Sequence, residues 1–178
     1  MDNRVRIVGG TWRSRLIRFP GQFDIRPTPD RVRETLFNWL GQSLRGKKCL
    51  DLFAGSGALG FEAASRGAEK VTMVESNREV AAAIRANAKT LGCDRLDLQV
   101  ADALKFLSYD SGTYDVIFLD PPFGKNLLSQ LWTLIPARLA RDGLIYVESG
   151  DMLDIPEGCL LVRQGKAGKV NYGLLSCR

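Results

Sequence analysis

The stretch Asp51-Leu52-Phe53-Ala54-Gly55-Ser56-Gly57 decides the fold that this sequence predicts. The apolar run at residues 49–53 leads into it and indicates a buried strand, and residues 58–66 continue with the pattern of a helix. Gly55, Gly57 and Gly60 have the spacing G-x-G-x-x-G, which allows a tight turn and a close approach of the backbone to a ligand. A strand, a glycine loop and a helix in this order predict an open α/β sheet with a ligand site at the carboxyl end of the strand.

Asp51 distinguishes this loop from one that binds a dinucleotide. A carboxylate at the end of the first strand repels a pyrophosphate seated on the helix N-terminus, and it attracts a cation. S-adenosylmethionine carries a sulfonium and an ammonium and no phosphate, so the stretch favours this methyl donor over NAD. We expect Asp51, Phe53, Gly55, Ser56 and Gly57 to bind the donor. The alternative is a strand–loop–helix turn that binds no ligand.

The composition is that of one ordinary globular domain. Of the 178 residues, 45% are hydrophobic and 25% are charged. No apolar run approaches the ~20 residues that span a bilayer, and no apolar signal core opens the chain, so we expect a cytoplasmic protein without membrane contact. The four cysteines lie far apart without a C-x-x-C pair, so we expect neither a zinc site nor a disulfide. The absence of histidine excludes a histidine general base, a Ser-His-Asp triad and a histidine-ligated metal.

The positive charge is concentrated near the N-terminus. Residues 1–26 hold six arginines and two aspartates, and so +4 of the formal net charge of +5. We predict a basic arm over residues 1–26, with strands at 4–9 and 14–19, that is part of the same domain as residues 27–178. A concentrated basic segment indicates a polyanionic partner. Trp12 can stack on a base, and the alternative is a surface flap that Trp12 anchors. The candidate nucleic-acid contacts are Arg4, Arg6, Trp12, Arg13, Arg15 and Arg18, with Lys166 and Lys169 in the last hairpin.

The pair Thr28-Pro29 predicts the start of a helix, with the threonine as the N-cap and the proline at the first helical position. Two arginines, Arg31 and Arg33, flank the first turn of this helix. The simplest interpretation pairs them at the surface with Asp30 or Glu34.

From residue 47 onwards, strands alternate with helices. We predict strands at residues 48–53, 70–75, 96–100, 114–119 and 143–148, and helices at 58–66, 77–91, 102–108 and 126–140. Asn77 can cap the second of these helices, and Gly92 follows its end. The alternation predicts a parallel sheet with right-handed crossovers. Residues 160–163 and 170–176 then predict a hairpin that closes the sheet.

Two further acids follow predicted strands. Glu75 ends the second strand, 20 residues beyond Gly55, where a carboxylate can accept both hydroxyl protons of a ribose. The alternative is a surface glutamate at a strand end. Asp102 follows the third strand and, with Ala103, can meet an adenine amino group, or it can simply cap the next helix.

The second decisive motif is Asp120-Pro121-Pro122-Phe123, which follows the fourth strand. It therefore lies beside the glycine loop at the carboxyl edge of the sheet. The prolines fix the backbone and leave carbonyl groups free, so Asp120 and the Pro121 carbonyl can both accept from one exocyclic NH2 group. Phe123 can cover the flat face of a base. The alternative is a loop in which Phe123 packs.

The glycine loop and the Asp120 motif together resemble the Class I S-adenosylmethionine-dependent methyltransferases that act on exocyclic amines. A narrower resemblance, to the RsmD-type ribosomal RNA guanine-N2 methyltransferases, covers residues 4–178. It rests on Arg6-Ile7-Val8-Gly9-Gly10, Arg26-Pro27-Thr28, Asp30-Arg31-Val32-Arg33-Glu34, Phe37-Asn38-Trp39-Leu40, Ser65-Arg66-Gly67-Ala68 and residues 168–172. One departure is Ser14, where the arm commonly carries glycine between two arginines.

This resemblance implies an α/β, Rossmann-like Class I methyltransferase fold, with a seven-stranded, mostly parallel sheet and helices on both faces. It implies S-adenosylmethionine as the methyl donor and a guanine of small-subunit (16S) ribosomal RNA as the target, in the subunit or an assembly intermediate. It also implies that residues 26–33 border the donor pocket. We expect a monomer.

The expected mechanism is a single in-line transfer without a metal or a covalent enzyme intermediate. Asp120 and the Pro121 carbonyl orient the guanine N2, Phe123 stacks on the ring, and the nitrogen attacks the sulfonium methyl. The amine proton then passes to Asp120 or to water. The base must leave its stack or already be unpaired in order to enter.

Two other functions stay open at this point. One is methylation of another exocyclic amine, such as adenine N6 in DNA, which the lack of a separate target-recognition domain disfavours, or a protein glutamine, for which Asn is typical at the position of Asp120. The other is a non-catalytic RNA-binding assembly factor that keeps the donor pocket, and the intact Asp120 motif argues against it.

Overall fold

A computed structural model describes residues 2–122 and 127–177 of the protein. In chain order its strands and helices are β1 (Asp2–Arg6), β2 (Leu16–Pro20), α1 (Asp30–Trp39), β3 (Lys48–Asp51), α2 (Ala58–Ser65), β4 (Lys70–Glu75), α3 (Arg78–Leu91), β5 (Leu96–Val100), α4 (Ala103–Tyr109), β6 (Tyr114–Leu119), α5 (Leu127–Leu131), β7 (Leu139–Ser149), β8 (Cys159–Ala167) and β9 (Val170–Cys177). A 3-10 helix at Ile135–Arg138 precedes β7. Within this described part of the chain, no helix has the length and apolar character needed to cross a membrane.

Seven of the strands form one sheet in the order β5-β4-β3-β6-β7-β9-β8. The strands from β3 to β7 are parallel, so their carboxyl ends lie at one edge, and β9 pairs antiparallel with both β7 and β8. The predicted seven-stranded, mostly parallel sheet with a C-terminal antiparallel hairpin is therefore confirmed. The strand order reverses between β3 and β6, which is the point where open α/β sheets bind ligands.

Alternate residues of the central strands pack into two different cores, because successive side chains of a strand point to opposite faces. In β6, Val116 and Phe118 belong to a core formed with α1, α2 and α3. Ile117 and Leu119 belong to the other core, formed with α4 and α5. Helices therefore cover both faces of the sheet, as predicted.

The predicted bounds of β4, β5 and β6 are confirmed, whereas β3 ends at Asp51 because the chain leaves the sheet there for the glycine loop. The prediction of one helix at 126–140 is wrong. The described helix ends at Leu131, a 3-10 helix follows, and Leu139 already belongs to β7. Pro136 does not permit one continuous α-helix, because it has no backbone N–H to donate to the carbonyl of Trp132. It lies instead in the first turn of the 3-10 helix, where proline is tolerated.

The caps of α3 agree with the prediction. The side-chain oxygen of Asn77 accepts from the backbone N–H groups of Glu79 and Val80 at 2.9 and 3.2 Å. Gly92 ends the helix in the left-handed region, with φ of 66°.

The prediction that Thr28 caps α1 is wrong, because Pro29 is the N-cap residue and no side chain caps this helix. The Thr28 hydroxyl donates instead to the carboxylate of Glu148 at the end of β7, at 2.7 Å. The sequence pattern favoured a local hydrogen bond that caps α1, but in the structure the Thr28 hydroxyl bonds to the distant Glu148 instead.

The N-terminal arm is a β1–β2 hairpin with shorter strands than predicted. Its inward residues Val5, Ile7, Ile17 and Phe19 are buried in the core that the arm shares with α1, α2 and α3. Deletion of residues 1–19 would therefore expose this core, so we expect that truncation to destabilise the domain and to impair donor binding as well.

Side chains of the neighbouring helices hold the backbone of the arm. The Ser65 hydroxyl of α2 donates to the carbonyl of Gly9 at 2.6 Å and accepts from the N–H of Trp12 at 2.9 Å. The Asn87 amide of α3 accepts from the N–H of Arg18 and donates to its carbonyl, at 3.0 and 2.7 Å. The arm is thus fixed along two helices.

Ser14 lies in the turn of the arm with φ of 69°, in the left-handed region. A glycine adopts this conformation without steric cost, whereas serine does not. The glycine that the resembled family commonly carries at this place therefore has a conformational reason.

One correction concerns the cysteines. Cys159 and Cys177 form a disulfide across β8 and β9, although no disulfide was expected. The two residues are directly paired in the strand register, which a sequence separation of 18 without a C-x-x-C motif does not reveal.

Candidate active site

A cleft of about 550 Å3 lies at the carboxyl edge of the sheet. Its walls are residues 24–28 and the segments that follow β3, β4, β5 and β6. Of the predicted site residues, the cleft brings together Asp51, Phe53, Gly55, Ser56, Glu75, Asp102, Ala103, Asp120 and Pro121. Phe123 lies outside the described residues.

Asp51 connects the glycine loop to the helix that follows it. Its side chain is buried at the end of β3, and its Oδ2 accepts from the backbone N–H of Gly60 at 3.0 Å. Burial raises the pKa of Asp51 to about 7, the Gly60 hydrogen bond opposes the rise, and the negative charge of Glu75 adds to it. A buried carboxylate that lines a cleft and titrates in this range is stabilised in its charged form by a bound cation.

Glu75 holds the glycine loop from the neighbouring strand. Its two carboxylate oxygens accept from the backbone N–H groups of Gly55 and Asn77, at 2.9 and 2.7 Å. Each carboxylate oxygen can accept more than one hydrogen bond, so these contacts leave capacity for the hydroxyl groups of a ribose.

Gly57 serves the packing of the loop. It has φ of 81°, and a Cβ at this position would lie 2.8 Å from a ring carbon of Phe61. A side chain at Gly57 is therefore excluded by the left-handed backbone and by Phe61, whatever ligand the cleft binds.

Asp102 caps α4, because its Oδ1 accepts from the backbone N–H of Lys105 at 3.1 Å. It also lines the cleft beside Ala103. The cap leaves the second carboxylate oxygen for a ligand, so the two predicted roles are compatible.

Asp120 and Pro121 form the corner that follows β6, opposite the glycine loop in the same cleft. Burial raises the pKa of Asp120 well above its usual range, and the negative charges of Glu148 and Asp51 raise it further. Three carboxylates from the ends of β3, β6 and β7 thus act on one another at this edge of the sheet.

Glu148 is a buried acid next to the cleft wall that the sequence analysis missed. It is buried at the end of β7, where Oε1 accepts from the hydroxyls of Thr28 and Tyr146 at 2.7 and 2.9 Å. Burial raises the pKa of Glu148, and the two hydroxyl donors oppose the rise. The signal was present in the sequence, since Glu148 ends a predicted strand as Glu75 does.

The surface interpretation of Arg33 is wrong. This arginine pairs with Asp30, as suggested, but its side chain is fully buried and also donates to Glu62 of α2 at 3.2 Å. Its Nε donates to the Thr28 carbonyl at 3.0 Å. Glu62 in turn accepts from Arg66, so a buried ion-pair network joins α1 to α2.

Four of the candidate RNA contacts lie at two opposite ends of the molecule, whereas Arg6 pairs with Asp30 at 3.0 Å, two residues from the cleft wall. Trp12 and Arg13 are at the C-terminal end of α2, about 12 Å from the glycine loop at 1.5 Å per residue. Trp12 is partly buried against the core. Lys166 and Lys169 lie at the carboxyl edge with the cleft, because β8 and β9 turn there beside the end of β7. The side chains of Arg13, Lys166 and Lys169 are exposed.

The strand order, the acidic strand ends and the Asp-Pro-Pro corner in one cleft define a Rossmann-like Class I methyltransferase. The family model described as "Conserved hypothetical protein 95" matches residues 5–176. The chain belongs to this family.

Individual proteins agree with this assignment. Ribosomal RNA small subunit methyltransferase D of Escherichia coli K12 is 41% identical over 178 residues, which cover 97% of this chain and 90% of that protein. The solved structure of Escherichia coli yhhF, at 41% identity, superimposes with a TM-score of 0.90 over 98% of both chains. A Streptococcus mutans protein solved with SAH is 20% identical and shares the fold, with a TM-score of 0.69 over 82% of this chain and 48% of that one. The predicted family resemblance and fold class are confirmed.

Proposed function

We propose that the protein transfers the methyl group of S-adenosylmethionine to the exocyclic N2 of a guanine in 16S ribosomal RNA. The observation that carries this proposal is the convergence of Asp51, Glu75 and Asp120-Pro121 on one cleft. The first two suit the cationic and ribose parts of the donor, and the corner suits an aromatic amine.

The donor lies along the carboxyl ends of β3, β4 and β5. Asp51 attracts a cationic group of the donor, Glu75 accepts from its ribose, and Asp102 and Ala103 border its adenine. Phe53, Gly55, Ser56 and Gly57 shape the loop between these contacts. The observed hydrogen bond between Gly55 and Glu75 supports this arrangement, because it fixes the loop against the ribose-binding acid.

The acceptor amine is held at the end of β6. Asp120 and the Pro121 carbonyl accept from N2, and Phe123 stacks on the ring. The N2 lone pair forms the new N–C bond as the C–S bond breaks, and the sulfur keeps that electron pair, so the donor becomes neutral at sulfur. The methylated amine then loses one proton to Asp120 or to water. Alignment of the two reactants lowers the activation barrier for the transfer, by ~7–11 kcal/mol in ideal cases.

Ribosomal RNA contacts the protein through basic side chains at both ends of the cleft-bearing domain. Lys166 and Lys169 lie at the same edge of the sheet as the cleft, where they suit phosphates near the target nucleotide. Among the arm residues, Arg6 pairs with Asp30 close to the cleft wall. The others suit more distant parts of the RNA: Arg4, Trp12, Arg13, Arg15 and Arg18. We place the protein in the cytoplasm as a monomer that meets its target in the small subunit or an assembly intermediate.

A methyl-transfer assay tests this function. The protein is incubated with radiolabelled donor and either naked 16S ribosomal RNA or small subunits that lack the modification, and the labelled nucleoside is identified after digestion. We expect N2-methylguanosine from at least one of the two substrates. Label on adenine, on protein or on neither substrate would contradict the proposal.

A further inference from the structure

Thr28 connects the donor side of the cleft to its acceptor side. Its buried side chain lines the cleft, and its hydroxyl donates to Glu148 of β7 at 2.7 Å. On the other side, the carbonyl of Thr28 accepts from Nε of Arg33 at 3.0 Å, and Arg33 is paired with Glu62 of α2. Because α2 begins at the glycine loop, Arg33 and Glu62 connect Thr28 to the donor side, while Glu148 connects it to the acceptor side.

Glu148 is itself held in place. It is 5% exposed, and Oε1 accepts from the Tyr146 hydroxyl as well as from Thr28, at 2.9 and 2.7 Å. Tyr146 is fully buried, with ring centroids of Phe118 and Tyr172 at 6.4 and 6.3 Å. A buried carboxylate with two hydroxyl donors on one oxygen has little freedom to move, since each of these charge-assisted bonds is stronger than a neutral one.

We propose that Glu148 is a positioning residue for methyl transfer, which acts through the Thr28 hydroxyl to hold residues 24–28 as a rigid wall of the cleft beside the Asp120 corner. This inference rests on the proposed function and adds to it a residue outside the motifs that suggested it. The wall sets the distance between donor and amine. An error of about 1 Å in such a distance costs on the order of 100-fold in rate.

Two substitutions of Thr28 isolate the hydrogen bond. Thr28→Val keeps the shape of the side chain and removes the hydroxyl, whereas Thr28→Ser keeps the hydroxyl. We expect Thr28→Val to lower the single-turnover rate at saturating donor and RNA by roughly 10- to 100-fold. Thr28→Ser should retain a rate at least about fivefold above that of Thr28→Val, because the contact with Glu148 survives.

A second pair of variants tests Glu148. Glu148→Gln keeps an acceptor oxygen for Thr28 and Tyr146, and Glu148→Ala removes it. A positioning role predicts that the glutamine variant is faster than the alanine variant. If Glu148→Gln loses as much rate as Glu148→Ala while both remain folded, the carboxylate charge matters and the positioning role is overturned.

Hydrogen exchange gives a readout that does not depend on activity. The backbone amides of residues 24–26 and 28 should exchange faster in Thr28→Val than in Thr28→Ser, with equal unfolding temperatures as the check on global stability. Equal rates and equal exchange in the two Thr28 variants would overturn this role alone. Absence of transfer by the wild-type protein would overturn the proposed function and this role together.

Discussion

The backbone N–H of Gly55 donates to Oε2 of Glu75 at 2.9 Å, so the acid at the end of β4 orders the glycine loop that follows β3. Loop order and ribose binding therefore depend on one side chain. We expect Glu75→Ala to weaken donor binding by roughly 10- to 100-fold, since hydrogen bonds to a charged group contribute about 1.5–3 kcal/mol. Glu75→Gln should lose less, because one carbonyl oxygen can still accept.

Calorimetry with S-adenosylmethionine measures this effect. Glu79→Ala is the matched control, since Glu79 is an exposed acid in the first turn of α3 that contacts Gln22. If Glu75→Ala binds the donor as tightly as Glu79→Ala does, Glu75 has no part in the donor site.

Donor binding should depend on pH through Asp51. Burial raises the pKa of Asp51 to about 7 in the empty cleft, and a bound cation favours the charged carboxylate and so lowers that pKa. Below pH 7, binding must therefore release a proton, and affinity should fall by up to about tenfold per pH unit. Above pH 7, Asp51 is already charged and the affinity should level off.

Calorimetry in buffers of different ionisation enthalpy detects the released proton directly. Asp51→Asn cannot titrate and should flatten this part of the profile, which separates Asp51 from Asp120 and Glu148, whose pKa values burial also raises. A wild-type affinity that is constant between about pH 5.5 and pH 8 would contradict the assignment of Asp51.

Asp120→Ala should separate orientation from binding. The change removes one acceptor for the target amine and leaves Asp51 and Glu75 in place, so donor affinity should stay near the wild-type value. The single-turnover rate should fall by roughly 100-fold or more, because the lost contact aligns the reacting nitrogen. A near-normal single-turnover rate of Asp120→Ala would show that Asp120 does not orient the target amine and that its role is structural.

Phe123→Ala should behave differently from Asp120→Ala. It removes stacking worth ~1–3 kcal/mol per base, so weaker RNA binding should accompany any loss of rate. Single-turnover rates across RNA concentrations distinguish the two variants.

Asp94→Ala is the control for Asp120→Ala. The Asp94 side chain is 90% exposed, so this variant shows the general effect of losing an acid.

Two pairs of basic residues should report which end of the molecule binds RNA. Replacing Lys166 and Lys169 with alanine should reduce the slope of log affinity against log salt by about 2, at roughly 1 per lost phosphate contact. Replacing Arg13 and Arg15 tests the far end of the arm without disturbing its buried residues. Arg141→Ala is the control, because this side chain is 97% exposed at the edge of the sheet opposite the cleft. A pair whose slope equals that of the control does not contact RNA.

Ser14→Gly should stabilise the protein. Ser14 has φ of 69°, and relief of this left-handed strain should exceed the added entropy of the unfolded chain, for a net gain on the order of 1 kcal/mol. Chemical denaturation measures the difference. Ser111→Gly is a matched control in an exposed segment, where the described backbone has no positive φ, and it should destabilise. A Ser14→Gly variant that is less stable than the wild type would contradict the proposal that the Ser14 backbone is strained.

The sequence allowed the sheet to be predicted because its signals are local. Buried strands, the capping Asn77 and the left-handed Gly92 each depend on residues within a few positions of one another. The donor half of the site followed for the same reason, since an acid at a strand end and a glycine loop need only the alternation of strand and helix to be placed.

The contacts that the sequence did not reveal join residues far apart in the chain. Thr28 and Glu148 are 120 residues apart, and Arg33 and Glu62 are 29 apart. Thr28 and Arg33 each had a plausible local role, and burial on the folded sheet supplied each of them with a distant partner. The disulfide between Cys159 and Cys177 likewise depends on strand register, which periodicity alone does not set.

The position of β9 has a consequence for the synthesis of the chain. Although β9 follows every other strand in the sequence, it lies inside the sheet and links β8 to β7. While residues 170–177 are still being translated, β7 presents an open edge and β8 has no partner strand. The sheet can therefore be completed only after those residues have left the ribosome, so it cannot close strand by strand in the order in which the strands emerge.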